Sequence, residues 1–323
     1  MQIGVFSTLL SEKSLDEALS YLKSKGVNAV EIGCGGCPGK AHADPDILLN
    51  DEKKLQEFKD TIKKYDMQIS ALSCHTNPVH PDKKTREFND NELTKAILLA
   101  QKLGVTIVNT FSGCPGDCEG AKYSNWVTCP WPEEFMTILD YQWNDVLIPY
   151  WKEKVSFAKK HGGIKFALEM HPGFCVYNAE TLLRLREAVG DEIGANFDPS
   201  HLIWQGADPV QAIKAIGKEN AIFHFHAKDT KIDKYNIAIN GVLDTKHYSD
   251  VLNRSWVFRT VGYGNDYAYW KDIVSALKTV GYDYVISIEH EDSLMSVNEG
   301  LTKAVDFLKE VITTQSSTGM WWA

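Results

Sequence analysis

The sequence predicts an α/β fold of the closed (β/α)8 barrel type. Two observations carry the prediction: short apolar segments alternate with longer amphipathic ones along the chain, and eight of the short segments can be counted. The strand candidates are Ile3 to Phe6, Ala29 to Ile32, Ile69 to Cys74, Ile107 to Phe111, Phe166 to Met170, Gly194 to Phe197, Ile222 to Ala227 and Tyr284 to Glu289. Eight parallel strands favour closure, because a barrel leaves no unpaired edge and buries both faces of every strand.

The helices follow in order. In the first, Ser14 and Glu17 form a capping box, Leu15, Ala18, Leu19 and Leu22 make one apolar face, and Gly26 supplies the stop. Leu55, Phe58, Ile62 and Tyr65 repeat the helical period, as do Leu93, Ala96, Ile97, Ala100 and Leu103 before Gly104. Further helices are expected over 143–161, 178–189, 209–218, 266–280 and 297–313. The segment 112–144 is long for a connection after the fourth strand and carries Trp126, Trp131, Phe135, Tyr141 and Trp143. Such an aromatic insertion either overhangs the site, where it would stack on a substrate, or forms its own small core or a subunit interface. No linker divides the chain, so 1–323 is expected to be one domain; the tail SSTGMWWA has no period, and its two tryptophans either dock on a surface or partner or form an exposed end.

Composition narrows the functional class. Of 323 residues, 44% are hydrophobic and 24% charged, which suits a globular protein with a large core. The net charge of −9 opposes attraction to nucleic acid phosphates. The start, MQIGVFSTLL, has no basic region before its apolar stretch, and no apolar run approaches membrane-spanning length, so a cytoplasmic location is expected. Seven cysteines are an odd number for a disulfide framework and read as reduced thiols; Cys34/Cys37, Cys114/Cys118 and Cys129 match no paired zinc ribbon.

The chemistry is carried by position. Acidic or histidine residues fall at the ends of four successive strand candidates, in LEMH, NFDPSH, HFHAKD and SIEHED. In a barrel of this kind the C-terminal strand ends face the catalytic mouth, so Glu169, Asp198, His226 and Glu289 should converge there. Three carboxylates around one imidazole suit Mn(II), with Mg(II), Co(II) or Fe(II) as alternatives. His224 shares the parity of His226 but lies deeper, and a buried hydrogen bond is its expected role.

At these residues the sequence resembles the sugar phosphate isomerase/epimerase superfamily of xylose isomerase-like barrels. This superfamily includes ketose 3-epimerases, inosose dehydratases and an endonuclease branch. The resemblance spans nearly the whole chain, through FALEMHPG, NFDPSHLIWQG, FHFHAKD, ISIEHED and FRTVGYG at 258–264. It implies that Glu169, Asp198, His226 and Glu289 hold one catalytic metal, and that the reaction removes a proton beside a ketose carbonyl. Glu169 and Glu289 are then the acid/base candidates, with pure ligation as the alternative for each. His171, of the same parity as Glu169, either acts as an acid or base in the mouth or orients its neighbours.

Glu31, His75, His201, Lys228, Asp229, Arg259 and Glu291 also lie at strand ends, as candidates for binding substrate or supporting the ligands, and Trp126 and Trp131 join them from the insertion. GCGGC at 33–37 lacks the order of a nucleotide loop, so neither NAD nor ATP is expected. The leading function is epimerisation or isomerisation of a keto-sugar. The alternative is a lyase acting on 3-oxo-glycosides, as in the barrel subunit of C-glycoside deglycosidases, favoured by the aromatic insertion. The resemblance attaches to that alternative a small second subunit; otherwise a homo-oligomer is expected. A metal-dependent DNA repair endonuclease and a non-catalytic sugar-binding barrel are the remaining readings, the first opposed by the acidic charge and the second by the intact ligand set.

Overall fold

The computed structural model describes residues 1–315, 319, 320 and 322. In chain order the elements are β1 (Gln2–Phe6), α1 (Leu15–Ser24), β2 (Ala29–Gly36), α2 (Pro45–Leu48), α3 (Glu52–Lys64), β3 (Gln68–His75), α4 (Lys83–Leu103), β4 (Ile107–Thr110), α5 (Glu134–Asp140) and α6 (Ile148–Lys160). They continue with β5 (Lys165–Glu169), α7 (Ala179–Val189), β6 (Ile193–Phe197), α8 (Pro199–Gln205), α9 (Pro209–Lys218), β7 (Ile222–Ala227), β8 (Asp229–Ile232), α10 (Lys234–Asn240), β9 (Trp256–Arg259), α11 (Tyr267–Thr279), β10 (Val285–Ile288) and α12 (Val297–Val311). Strands β1 to β7 pair in sequence order, and β10 pairs with both β7 and β1, so the parallel barrel closes as expected.

Local chemistry explains the element ends. The capping box of α1 is formed: the Ser14 hydroxyl accepts from the Glu17 amide at 3.3 Å and Glu17 Oε2 accepts from the Ser14 amide at 2.9 Å, a device worth about 1 kcal/mol. Asp82 caps α4 by accepting from the Thr85 amide at 2.9 Å, so this helix starts well before Leu93. Its first turns, KKTREFND, lack an apolar period, which is why the sequence pattern starts late. Strand β2 likewise runs on through Gly33 to Gly36, pairing with Ser73 to His75 of β3 across a register shift.

Two excursions leave the barrel framework. The insertion after β4 folds in part onto the barrel: a π-helical stretch, Tyr141–Leu147, joins α5 to α6 and buries Trp143. The second excursion, after β7, was not legible in sequence. It holds the antiparallel pair β8–β9 and α10, and the first of these strands, DTKI, carries a single apolar residue and so shows no strand pattern. Asp229 anchors its return. The carboxylate accepts from the amides of Gly262, Gly264 and Asn265 at 2.9 to 3.1 Å and from the Trp270 indole at 3.1 Å. A Cβ on Gly264 would lie 2.5 Å from Asp229 Oδ1, which accounts for the second glycine of FRTVGYG.

All seven cysteines are free thiols. Among the described residues no helix is long and apolar enough to cross a membrane. In the tail, Trp321 lies outside the described residues and Trp322 is exposed.

Candidate functional site

Four strand ends deliver the expected cluster. Glu169 is the last residue of β5, His226 the penultimate residue of β7, and Glu289 follows β10, while Asp198 follows β6 and caps α8 by accepting from the Ser200 amide at 2.8 Å. One donor atom from each of Glu169, Asp198, His226 and Glu289 lies within 4.8 Å of the others. This donor set fits a hard or borderline divalent cation. Asp198 Oδ2 and Glu289 Oε2 are buried and accept no aligned hydrogen bond.

The imidazole of His226 is aimed from below. Its Nε2 lies 2.9 and 3.0 Å from the two oxygens of Glu31, which as a carboxylate only accepts, so Nε2 carries the proton. Nδ1 then faces Glu289 Oε2 at 2.9 Å and Glu169 Oε2 at 3.4 Å. Burial opposes protonation of this ring, yet Glu31 and Glu289 raise it well above an ordinary imidazole.

Glu31 takes the second of the two roles its sequence position left open, supporting a ligand candidate and not contacting substrate. Because β2 continues to Gly36, Glu31 sits mid-strand beneath the cluster, fully buried. It accepts from Asn109 Nδ2 at 2.8 Å and from the hydroxyls of Ser287 and Ser73. These bonds and the two histidines outweigh burial and keep it ionised below the usual carboxylate range. His224 lies in the same buried layer, with Nδ1 3.0 Å from Asn196 Oδ1 and Nε2 3.0 Å from Ser70 Oγ, as the parity argument expects.

Around Glu169 stand His75 and His201, with Nε2 atoms 3.0 and 3.1 Å from its oxygens. His201 Nε2 also lies 3.3 Å from Asp198 Oδ2. Burial would raise Glu169, but hydrogen bonds from His201, His226 and His75 hold it well below the usual range. Lys228 is buried with its ammonium 3.1 Å from Asp198 Oδ2, 2.9 Å from Glu289 Oε2 and 3.1 Å from Glu291 Oε2. Burial alone would lower Lys228, and the three carboxylates instead raise it well above an ordinary lysine. In return, Lys228 and His226 overcome burial and bring Glu289 down to about 2.

His171 lines the mouth with its ring 4.1 Å from that of His201. Burial and the His201 charge lower it to about 3. Its Nδ1 lies 2.6 Å from the Pro172 carbonyl and donates to it, so Nε2 is left as a lone pair. The resting ring is therefore an acceptor, and takes a proton before it can give one.

The aromatic wall lies elsewhere than in the insertion. Trp143 is buried, Trp126 packs edge-on against Tyr177 at 5.5 Å, and Trp131 is 74% exposed. Neither Trp126 nor Trp131 lines the cavities at the barrel mouth, which corrects their assignment as substrate contacts. The insertion buries Trp143 in the barrel core, which removes its large apolar surface from water, and leaves Trp131 in solvent. Arg259 is corrected as well: it donates to Asp292 at 3.0 Å, away from the cluster. On a strand, neighbours face opposite sides, and it is Phe258 that turns to the site, its ring 4.7 Å from Lys228 Nζ. Sequence parity within FRTVGYG contained this signal, as it did for Asn196, two residues before Asp198.

A cavity of about 170 Å3 lies directly over the cluster, with His75, Phe111, Glu169, His171, Lys228 and Glu289 on its walls. A second, of about 450 Å3, adjoins it through His171 and Glu291 and is completed by Tyr248, Val257, Phe258 and Ser293.

Comparison with known proteins agrees with this geometry. A family model described as xylose isomerase-like TIM barrel matches residues 19–311. The protein YfiH of Bacillus subtilis (strain 168) is 39% identical over 318 residues, covering 97% of this chain and all of that protein. Among solved structures, the IolI protein with a bound zinc atom superposes with a TM-score of 0.67 at 20% identity, covering 98% of this chain and 100% of IolI. An L-ribulose 3-epimerase superposes with a TM-score of 0.61 at 16% identity, covering 96% of this chain and 94% of that enzyme.

Proposed function

Because the chain belongs to the xylose isomerase-like TIM barrel family, we propose that it is a divalent-metal-dependent sugar enzyme that removes a proton next to the carbonyl of a keto-sugar and so epimerises or isomerises it. The observation that carries the reading is the convergence of Glu169, Asp198, Glu289 and Nδ1 of His226 at the barrel mouth. Those four residues would hold the ion, Mn(II) by the hardness of the donors, with Mg(II), Co(II) and Fe(II) as alternatives. The zinc of IolI and the sugar chemistry of the epimerase neighbour support a metal site and a sugar substrate. The chemistry a divalent ion supplies when bound is stabilisation of negative charge on the carbonyl oxygen as the neighbouring carbon loses its proton.

The chain's own groups do the rest. Glu289 is the more open carboxylate, its side chain 15% exposed against 4% for Glu169, and Lys228 and His226 keep it ionised, ready to accept a proton. Glu169 lies across the cluster, between His75 and His201. In an epimerisation one of these carboxylates takes the proton and the other returns one to the opposite face. Lys228 donates to sugar hydroxyls, and Phe6, Phe111 and Phe258 exclude water around the reacting carbon. A small-molecule sugar as partner and a cytoplasmic setting belong to the same reading.

One observation favours a second reading, elimination from a 3-oxo-glycoside. His171, with its free Nε2, stands on the wall shared by the two cavities, where it can take the proton and return it to a departing oxygen.

The test is product analysis by NMR in D2O with Mn(II), offering the purified chain ketohexoses and 3-oxo-glycosides side by side. Solvent deuterium in an epimerised or isomerised sugar is the expected result, and release of the substituent with an unsaturated keto-sugar would install the second reading. Absence of both would overturn the proposal.

A further inference from the structure

We infer that the 450 Å3 cavity bounded by β9 and the segment after β10 is the outer half of the substrate site, and that it holds a flat apolar substituent carried by the sugar. The preferred substrate is then a keto-sugar that carries such a substituent. This rests on the reading that the sugar itself lies over the four-donor cluster.

Size is the first argument. The inner cavity, about 170 Å3, is smaller than small-molecule sites commonly are, whereas the outer one falls within their usual range of roughly 300–1,000 Å3. The two share His171 and Glu291, so a ligand in the inner cavity can extend past them into the outer one. Wall chemistry is the second. Phe258 and Tyr248 stack with centroids 5.9 Å apart and planes 21° from parallel. The buried guanidinium of Arg254, 4.4 Å from the Tyr248 ring, holds that ring in place by donating to the backbone carbonyls of Trp256 and Lys246. Val257 adds apolar surface. Such rings recognise a planar apolar group by stacking and leave Glu291 and Ser293 for a peripheral hydroxyl. The cavity on the other flank, about 510 Å3, also has aromatic walls, Phe88, Phe111 and Phe174, but it carries the Lys40–Glu92 ion pair and shares neither His171 nor Glu291 with the inner cavity.

The position of Phe258 joins the two halves. Its ring lies 4.7 Å from Lys228 Nζ and meets the His201 ring edge-on at 5.3 Å, so it stands where sugar and substituent would join.

The test compares two non-reacting ligands, 4-methylumbelliferyl β-D-glucoside and methyl β-D-glucoside, bound to the Mn(II)-loaded chain and followed by calorimetry. The aryl glucoside is expected to bind at least about tenfold tighter, as ring stacking allows. Val257→Trp, which fills the cavity, and Tyr248→Ala, which removes the stack, are each expected to collapse that difference. Equal affinities in the wild-type chain, or a preference that survives both variants, would overturn the inference. Deuterium exchange into ketohexoses measured in parallel separates the two ideas. Exchange without an aryl preference removes only the outer site, while an aryl preference without exchange on any keto-sugar removes only the proposed reaction.

Discussion

Glu31 holds the Nε2 proton of His226 at 2.9 Å and thereby turns Nδ1 of that ring toward Glu289, another 2.9 Å away. The carboxylate that decides how the cluster presents its only nitrogen thus never reaches the mouth. Asn109, Ser73 and Ser287 donate to Glu31 and keep it charged, so the orientation of the His226 ring is set from inside the barrel.

Glu31→Gln keeps the shape and loses the charge. Supporting groups of this kind are typically worth 10- to 100-fold in metal affinity, and a loss of that order is expected in Mn(II) binding by calorimetry, with an unchanged circular dichroism spectrum. Unaltered affinity would show that His226 needs no help from below.

Glu169→Gln and Glu289→Gln should each lower turnover by at least about a hundredfold, as the loss of an acid/base group or a ligand requires. Initial rates under saturating Mn(II) check this, and near-normal turnover in either variant removes that residue from its role.

Lys228 neutralises three carboxylates in a buried place. Lys228→Met leaves those charges uncompensated, and breaking a buried pair costs roughly 3–5 kcal/mol. Thermal unfolding of the chelator-treated protein should show a large fall in Tm, and a smaller one with Mn(II) present, because the ion replaces part of the missing positive charge. Equal losses in both conditions would contradict the shared electrostatics.

The same linkage predicts that Mn(II) at a hundred times its dissociation constant stabilises the native chain by about 2.7 kcal/mol. Removal with a chelator should abolish turnover and lower Tm together, and re-addition should restore both. Full turnover after exhaustive chelation would exclude the metal from the reaction.

The insertion separates structure from function. Trp143→Ala removes a fully buried ring and should cost about 3–5 kcal/mol, while Trp131→Ala, on an exposed ring, should leave Tm and turnover nearly unchanged. A strong effect of Trp131→Ala on substrate affinity would return the insertion to the site.

Much of the barrel was legible because its signals are local. All eight barrel strands fall where short apolar runs are bounded by turns, and α1 begins and ends at its capping box and Gly26. The β8–β9 pair escaped because DTKI carries a single apolar residue and so offers no apolar run to pair with WVFR, and half of α4 escaped because its exposed first turns carry no apolar period.

The candidate site divides along the same line. By itself the sequence determined that Glu169, Asp198, His226 and Glu289 stand at strand ends, since parity and spacing along one strand are local properties and barrel closure brings strand ends together. Only the tertiary structure decided that Glu31 supports His226 from below, that Arg259 turns away while Phe258 turns in, and that Tyr248, and neither Trp126 nor Trp131, lines the cavity beside the cluster. Those outcomes depend on strand length, on the fold of two excursions and on which rings gain most from burial, and each is settled by contacts between segments far apart in the chain.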